Sequence, residues 1–405
     1  MKFAHMADCH VGSWRDERLR QLSLEAFVKA IDKCISENVD FVLISGDLFN
    51  TSMPGIEYQK KVVEKLNELK QKDIPVYIIA GSHDFSPSGK TMIEVYEKAK
   101  LFVNVVKGSV ENGKLKLRFT TDKKTGAKIA GMLGKKGMLE RKYYEDLDKE
   151  NLEKEEGFKI FMFHTALSEF KPKELEKMDS SPLSLLPKNF DYYAGGHVHI
   201  VKEASIGDYK NVVYPGPVFP NNFAELEKLE RGGFYIYEDG KLTYEPVQIK
   251  NVFKIHVDAN HKTTEQITES IMAQIKNREF YETIVLIRVE GTLESGKSSD
   301  INFKEIFDVL FSKGAFYVMK STYKLETKEF EEIKTEIGTT DEIEDSLINE
   351  NAGQIKLGEM DTDKQKELTK DLMKVLSLEK QEGEKVYEFE ARLKAEISKV
   401  LRIDL

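Results

Sequence analysis

Residues 41–50 read FVLISGDLFN: four apolar residues of strand type, Phe41 to Ile44, stop at Ser45-Gly46 and deliver Asp47. A carboxylate set just past the end of a buried strand faces a polar cavity and needs a partner strong enough to offset its desolvation. Four other strand-like runs end in the same manner. FAHMA leads into Asp8 and His10, VYIIA into Gly81-Ser82-His83-Asp84, KIFMF into His164, and YYAGG into His197 and His199. Ligands bind at the carboxyl ends of strands in an α/β sheet, so side chains distant in sequence are expected to converge on one rim.

The chain has 405 residues, more than one ordinary core, and the expectation is two or three domains. No apolar run approaches the roughly 18 residues of a membrane helix, and MKFAHMADCH lacks the apolar core of a signal peptide. Two cysteines, Cys9 and Cys34, cannot build a disulfide framework in a chain of this size. A cytoplasmic protein without membrane contact is expected. Cys9 lies between two candidate ligands, but alternate residues of an extended segment face opposite sides, so it should point away from Asp8 and His10. The net charge of −9 argues against a generally basic surface; a local basic track would still suffice for nucleic acid.

From 1 to about 250, strand-like and helical stretches alternate. Leu22, Leu24, Phe27, Ile31 and Ile35 predict a helix over 20–37, with a second at 57–72 and a short third at 90–100. Parallel strands need such crossovers, so the fold class is α/β, a sheet with helices on its faces. Residues 102–130 read as hairpins, 143–157 as an acidic helical stretch, and 232–247 as a hairpin turning at Asp239-Gly240. Lys114, Lys116, Arg118, Lys123, Lys124, Lys128, Lys135, Lys136, Arg141 and Lys142 face only Asp122 and Glu140, either as a phosphate-contacting track or as a solvated hairpin surface.

Residues 251–330 alternate strand and helix again and predict a small α/β cap. Its two histidines, His256 and His261, are expected to be ordinary. Residues 331–363 form an acidic, polar linker. Over 364–405, Leu368, Leu372, Val375 and Leu376 make one apolar stripe and Val386, Phe389, Leu393, Ile397 and Val400 another, with Gly383 between: a helical pair that either docks on its own protein or, as the preceding linker favours, holds a partner. No Walker-type glycine loop is present, so any nucleoside triphosphate hydrolysis belongs to another chain.

A lone histidine is most often a satisfied core residue. Five at strand ends, together with two aspartates, are better partnered by a cation. Mixed His and Asp ligation suits manganese, iron or zinc better than calcium. Two ions are expected rather than one, bridged by Asp47, a clamp suited to in-line attack on a phosphate ester. His83, beside a ligand position, is the candidate proton donor to the leaving oxygen; its other reading is support of a ligand, paired with Asp84.

The order D-x-H, GD, G-x-H-D, H, GHxH resembles the calcineurin-like metallophosphoesterases over about 200 residues. More narrowly, MADCHVG, SGDLF, YYAGGHVH followed by YPGP, a cap and a terminal helix pair resemble the archaeal meiotic-recombination-eleven (SbcD-like) nucleases of DNA double-strand-break repair. The resemblance implies a metallophosphoesterase β-sandwich flanked by helices at 1–250, a DNA-capping domain at 251–330, and a helix pair at 364–405 that grips an SMC-like ATPase of the Rad-fifty type. It also implies a homodimer and a manganese-dependent exonuclease and endonuclease acting on double-strand ends and single strands. By motif position one Mn2+ would be held by Asp8, His10, Asp47 and His199, the other by Asp47, Ser82, His164 and His197, with His83 as catalytic acid. Other divalent transition metals would fit the same ligands.

Two departures stand out. The family usually has asparagine where this chain has Ser82, a shorter and weaker ligand. Some relatives have a histidine, thought to orient the phosphate, where this chain has Asn50, which retains hydrogen bonding but not proton transfer. Two other functions remain: a phosphodiesterase for small or cyclic esters, which would need no cap or tail, and a non-catalytic scaffold for DNA ends with a weakened second metal site.

Overall fold

The computed structural model describes residues 1–86, 89–135, 139–172, 178–327, 361–378 and 384–401. Residues 1–326 form one compact unit and 327–405 a second.

The first unit is built on two six-stranded sheets. One runs in the order β14 (Lys241–Val247), β13 (Gly232–Glu238), β1 (Lys2–Met6), β2 (Phe41–Ser45), β3 (Val76–Ile79) and β4 (Val103–Asn104). The other runs β11 (Val201–Ile206), β12 (Tyr209–Pro215), β10 (Tyr192–Gly196), β9 (Lys159–His164), β8 (Lys128–Gly131) and β7 (Thr120–Thr121). In the first sheet β1 to β4 are parallel, and in the second β8, β9, β10 and β12 are. Antiparallel strands flank the first set at its β1 edge and the second set at both edges.

Period-two alternation explains the sandwich. Phe3, Phe41, Leu43 and Tyr77 of the first sheet meet Ile160, Met162, Tyr192 and Ala194 of the second. Their neighbours Ala4, Met6, Val42 and Ile44 turn outward onto α1 (Glu17–Ser36) and α2 (Ile56–Gln71). Phe161, Phe163 and Tyr193 turn outward into a third cluster. Strands buried on both faces read as continuous apolar runs, which is why FVLI and KIFMF were visible as strands. Cys9 and Cys34 are buried free thiols in the helix-facing core, so Cys9 does point away from its neighbours.

The short third helix, α3, spans Met92–Lys98, and β5 (Gly108–Glu111) pairs with β6 (Lys114–Leu117) as a hairpin. The acidic stretch after it is not one helix but two short turns, α4 (Arg141–Glu145) and α5 (Glu150–Glu153). The cause is the hairpin: Leu115 donates its N–H to the Asp146 carbonyl (2.8 Å) and accepts from the Asp148 N–H (2.8 Å), which holds Leu147 in a bridge with Leu115 and interrupts the helix. Much of the basic track is neutralised locally. Lys116 pairs with Glu111 (3.4 Å), Lys124 with Asp40 (2.7 Å), Arg141 with Glu145 (2.9 Å) and Lys128 with Glu155. Lys136 lies outside the described residues.

After α6 (Phe223–Leu229), residues 251–327 add a parallel sheet of β15 (Asn251–Asp258), β16 (Thr283–Leu293) and β17 (Tyr317–Ser321), with β18 (Leu325–Thr327) beside β16. The helices α7 (Thr264–Ile275) and α8 (Phe303–Ser312) close a separate core around Ile267, Ile271, Ile287 and Leu310. His256 contacts Glu290 (2.9 Å) and His261 is almost fully exposed. In the second unit α9 (Thr362–Leu376) and α10 (Val386–Leu401) contact one another. Leu372 and Leu393 are half-buried, whereas Leu376 is 63% exposed, so the apolar stripes are not fully covered. The expected linker and the turn at Gly383 lie outside the described residues. No described helix is long and apolar enough to cross a membrane.

Phe3 stacks between Phe41 (4.9 Å) and Tyr237 (4.7 Å) with Tyr192 edge-on, all at the centre of the sandwich. Phe3→Ala is expected to cost about 3–5 kcal/mol, read by urea denaturation.

Candidate metal centre

Every candidate ligand stands at or just past the carboxyl end of β1, β2, β3, β9 or β10. The loops after β1 and β2 run side by side: the N–H of Asp8 reaches the Gly46 carbonyl (3.2 Å) and that of His10 the Asp47 carbonyl (2.9 Å). Close approach at this rim requires glycine. At Gly46, φ is +86° and a Cβ would stand 2.2 Å from His164 Nδ1; at Gly81 it would stand 2.3 Å from Asp47 Oδ1. Asp8, His10, Asp47, His197 and His199 all have positive φ. Non-glycine residues in such conformations cost about 1–3 kcal/mol each and cluster at functional sites.

The side chains converge. His164 Nε2 lies 3.2 Å from Asp47 Oδ2, His10 Nε2 lies 3.6 Å from the same oxygen, and His199 Nε2 lies 3.7 Å from Asp8 Oδ1. His10 and His199 point their Nε2 atoms at one another, 3.1 Å apart. Among the described residues three groups bring donor atoms within 4.8 Å of one another: Asp8, His10 and His199; Asp8, Asp47 and His164; His10, Asp47 and His83. Asp8, His10 and Asp47 each belong to two of them, so more than one cation can be served. His197 falls outside these groups of histidines and carboxylates, and Ser82 stands beside them. The Ser82 hydroxyl donates to Asp47 Oδ2 (3.3 Å), and the His197 ring lies 5.1 Å from that of His164 while the backbone N–H of His197 donates to Asp8.

Hydrogen bonding fixes the tautomers. His164 Nδ1 is 2.8 Å from the Ser45 carbonyl, which can only accept, so Nδ1 carries the proton and Nε2 faces the carboxylates. That Nε2 is buried and outside hydrogen-bond geometry with any partner, as is His10 Nδ1. Buried polar atoms without partners are rare, and His164 Nε2 faces the Asp47 carboxylate. His5 supplies the contrast: equally buried on β1, it is satisfied at both nitrogens by Tyr192 Oη and Ser45 Oγ, 3.0 Å each.

The charges demand a cation. Burial lowers the affinity of His164 for a proton, but the Asp47 charge overcomes it and lifts the imidazole to about 10. Burial raises Asp47 and the surrounding imidazoles, His164 foremost, reverse it, leaving the carboxyl well below the usual range. Burial holds His10 neutral and carries His197 down to about 3, with the His164 charge adding to the latter. A divalent ion in place of the His164 proton satisfies the same carboxylates, and the donor set of carboxylate and imidazole fits one.

Two neighbours bear on His83. Asp84 does not pair with the His83 ring. Its carboxylate accepts from the backbone N–H groups of Asp47 (2.9 Å) and Gly81 (2.8 Å), tying the β2 and β3 loops together. Burial and the Asp47 charge push it up to about 7. His83 Nδ1 instead donates to the Asn50 backbone carbonyl (2.9 Å), so Asn50 acts here through its main chain. Glu225 escaped sequence reasoning altogether. Its Oε1 accepts from His199 Nδ1 (2.9 Å) and its Oε2 from the Asn221 N–H (2.8 Å). Its signal was Asn222-Phe-Ala-Glu225, an N-cap followed three residues later by an acid; Asn222 does cap α6.

Residues 1–201 match the family described as calcineurin-like phosphoesterase. A DNA double-strand break repair protein Mre11 of Methanococcus maripaludis is 30% identical over 77% of this chain and 79% of its own length. Its counterpart in Archaeoglobus fulgidus is 24% identical over 90% and 82%. The chain belongs to the Mre11 family. A third Mre11, of Thermoplasma acidophilum, is 28% identical over 68% of this chain and 73% of its own length. The Mre11 phosphoesterase domain works with divalent metal ions, and the Nε2 atoms of His10 and His164, both turned to Asp47, mark where this chain would take them.

A carboxylate that orients a metal-binding histidine is worth about 10–100-fold in metal affinity, so Glu225→Ala should weaken binding of one divalent ion by that factor, read by calorimetric titration. At about a hundredfold excess over Kd, the ion should stabilise the parent protein by about 2.7 kcal/mol in thermal unfolding, a gain that a chelator abolishes.

Proposed function

We propose that this chain is the nuclease subunit of a double-strand-break repair complex, hydrolysing DNA phosphodiester bonds with two Mn2+ ions. The observation that carries it is Asp47, whose carboxylate lies within reach of His10, His83 and His164 at once. Asp8, His10, Asp47 and His199 would hold one ion; Asp47, Ser82, His164 and His197 the other. Bound divalent ions supply Lewis acidity, neutralising the phosphate and making hydroxide available near neutral pH. The Ser82 hydroxyl, now on Asp47, can turn to a ligand role or keep the bridging carboxylate oriented.

His83 is the proton donor. Its backbone N–H is fixed to Asp47 Oδ1 (2.7 Å) and its Nδ1–H to Asn50, so the ring is held with Nε2 free to protonate the leaving oxygen. Beside it a hollow of about 580 Å³ is lined by Thr51, Ser82, His83, Phe85 and Lys135. Residues 251–327, with their own sheet and core, form the DNA-capping domain. The uncovered stripes of α9 and α10 grip the Rad-fifty type ATPase, and the protein acts as a homodimer in the cytoplasm.

His83→Ala should retain bound metal yet release nucleotides from a DNA end about 10²–10⁴-fold more slowly. Parent-like release would remove His83 from the mechanism. No Mn2+-dependent release from the parent itself would favour the scaffold, and preference for a small diester over DNA would favour the small-ester enzyme. Deleting 364–405 should abolish capture of the ATPase while leaving hydrolysis of short DNA intact.

A further inference from the structure

We propose that Arg288, on the central strand of the cap sheet, is a positioning residue for His199, acting through α6. The proposal rests on the ligand role of His199 given above. Arg288 forks onto Glu227, with Nε 2.7 Å from Oε1 and Nη2 2.6 Å from Oε2, and its guanidinium lies 5.1 Å from the ring centroid of Phe223. Both contacts fall on α6, the helix whose Glu225 holds His199 Nδ1. Residues two apart stand about 200° apart around a helix, so one carboxylate faces the metal rim while the other faces the cap.

A seven-residue helix does not hold itself together and takes its position from its anchors. On the phosphoesterase side these are the fully buried Leu226 and the Glu225 bonds to His199 and Asn221. On the cap side they are the Arg288 fork and Lys254, which reaches the Glu227 carbonyl (3.3 Å) and Glu230 (2.6 Å). Arg288 and Glu227 are largely sequestered, 18% and 28% exposed, so the fork is more than a solvated surface pair. Its bidentate geometry fixes direction as well as distance, which lysine would not do. His199, Glu225, Glu227 and Arg288 line one cleft of about 890 Å³, so the cap's grip on α6 and the metal rim share a wall. The position of the cap is thereby written into the orientation of one imidazole.

The test is a Mn2+ titration of the full-length protein, with free ion counted by electron paramagnetic resonance and unfolding followed by circular dichroism. Arg288→Ala should weaken one of the two bound ions by about three- to tenfold, less than loss of the direct Glu225 partner, and leave the other within twofold. The reversed pair, Arg288→Glu with Glu227→Arg, should restore the weakened ion. Parent-like affinity in Arg288→Ala, with weakening in Glu225→Ala, would overturn the proposal while leaving the ligand assignment in place. So would an early-melting Arg288→Ala protein that still binds both ions as the parent does. A parent protein that binds no pair of Mn2+ ions would remove the ligand assignment first and this coupling with it.

Discussion

Two buried carboxylates, Asp8 and Asp47, face five imidazoles across one rim, and the need to compensate that charge governs the structure around it. Without a cation, His164 must keep a proton for Asp47, and the facing nitrogens of His10 and His199 must share one. Both arrangements leave the buried Nδ1 of His10 without a partner. The fold has therefore built a cavity whose electrostatics are completed from outside the chain.

The sandwich makes this possible because the rim draws on two sheets. Asp8, Asp47 and His83 arrive on parallel strands of one sheet, His164 and the 197–199 loop on parallel strands of the other. Their mutual distances are thus set by the packing of aromatic rings between the sheets. The polar ties, Asp84 across the β2 and β3 loops and Ser45 onto His164, then fix what the packing has brought close.

Much of this was legible in the sequence, for physical reasons that differ by element. Strands covered on both faces leave continuous apolar runs, and candidate ligands placed directly after them leave a countable order of Asp and His. The acidic stretch at 143–157 misled because its composition favours helix while a hairpin captures its backbone at Asp146 and Asp148. The basic track looked freer than it is, since its partners Asp40 and Glu155 are remote in sequence or beyond its end. Glu225 was hidden for a related reason: its partner His199 is twenty-six residues away, and only the capping pattern marked it. Asn50 contributes a carbonyl, which every residue has, so no side-chain motif could announce it.

Five of the candidate ligands sit in the left-handed backbone region, where glycine or asparagine would rest more easily. Selection acting on foldedness alone would erode this rim first. The rigid double sheet beneath is what allows so uncomfortable a lip to be carried at all.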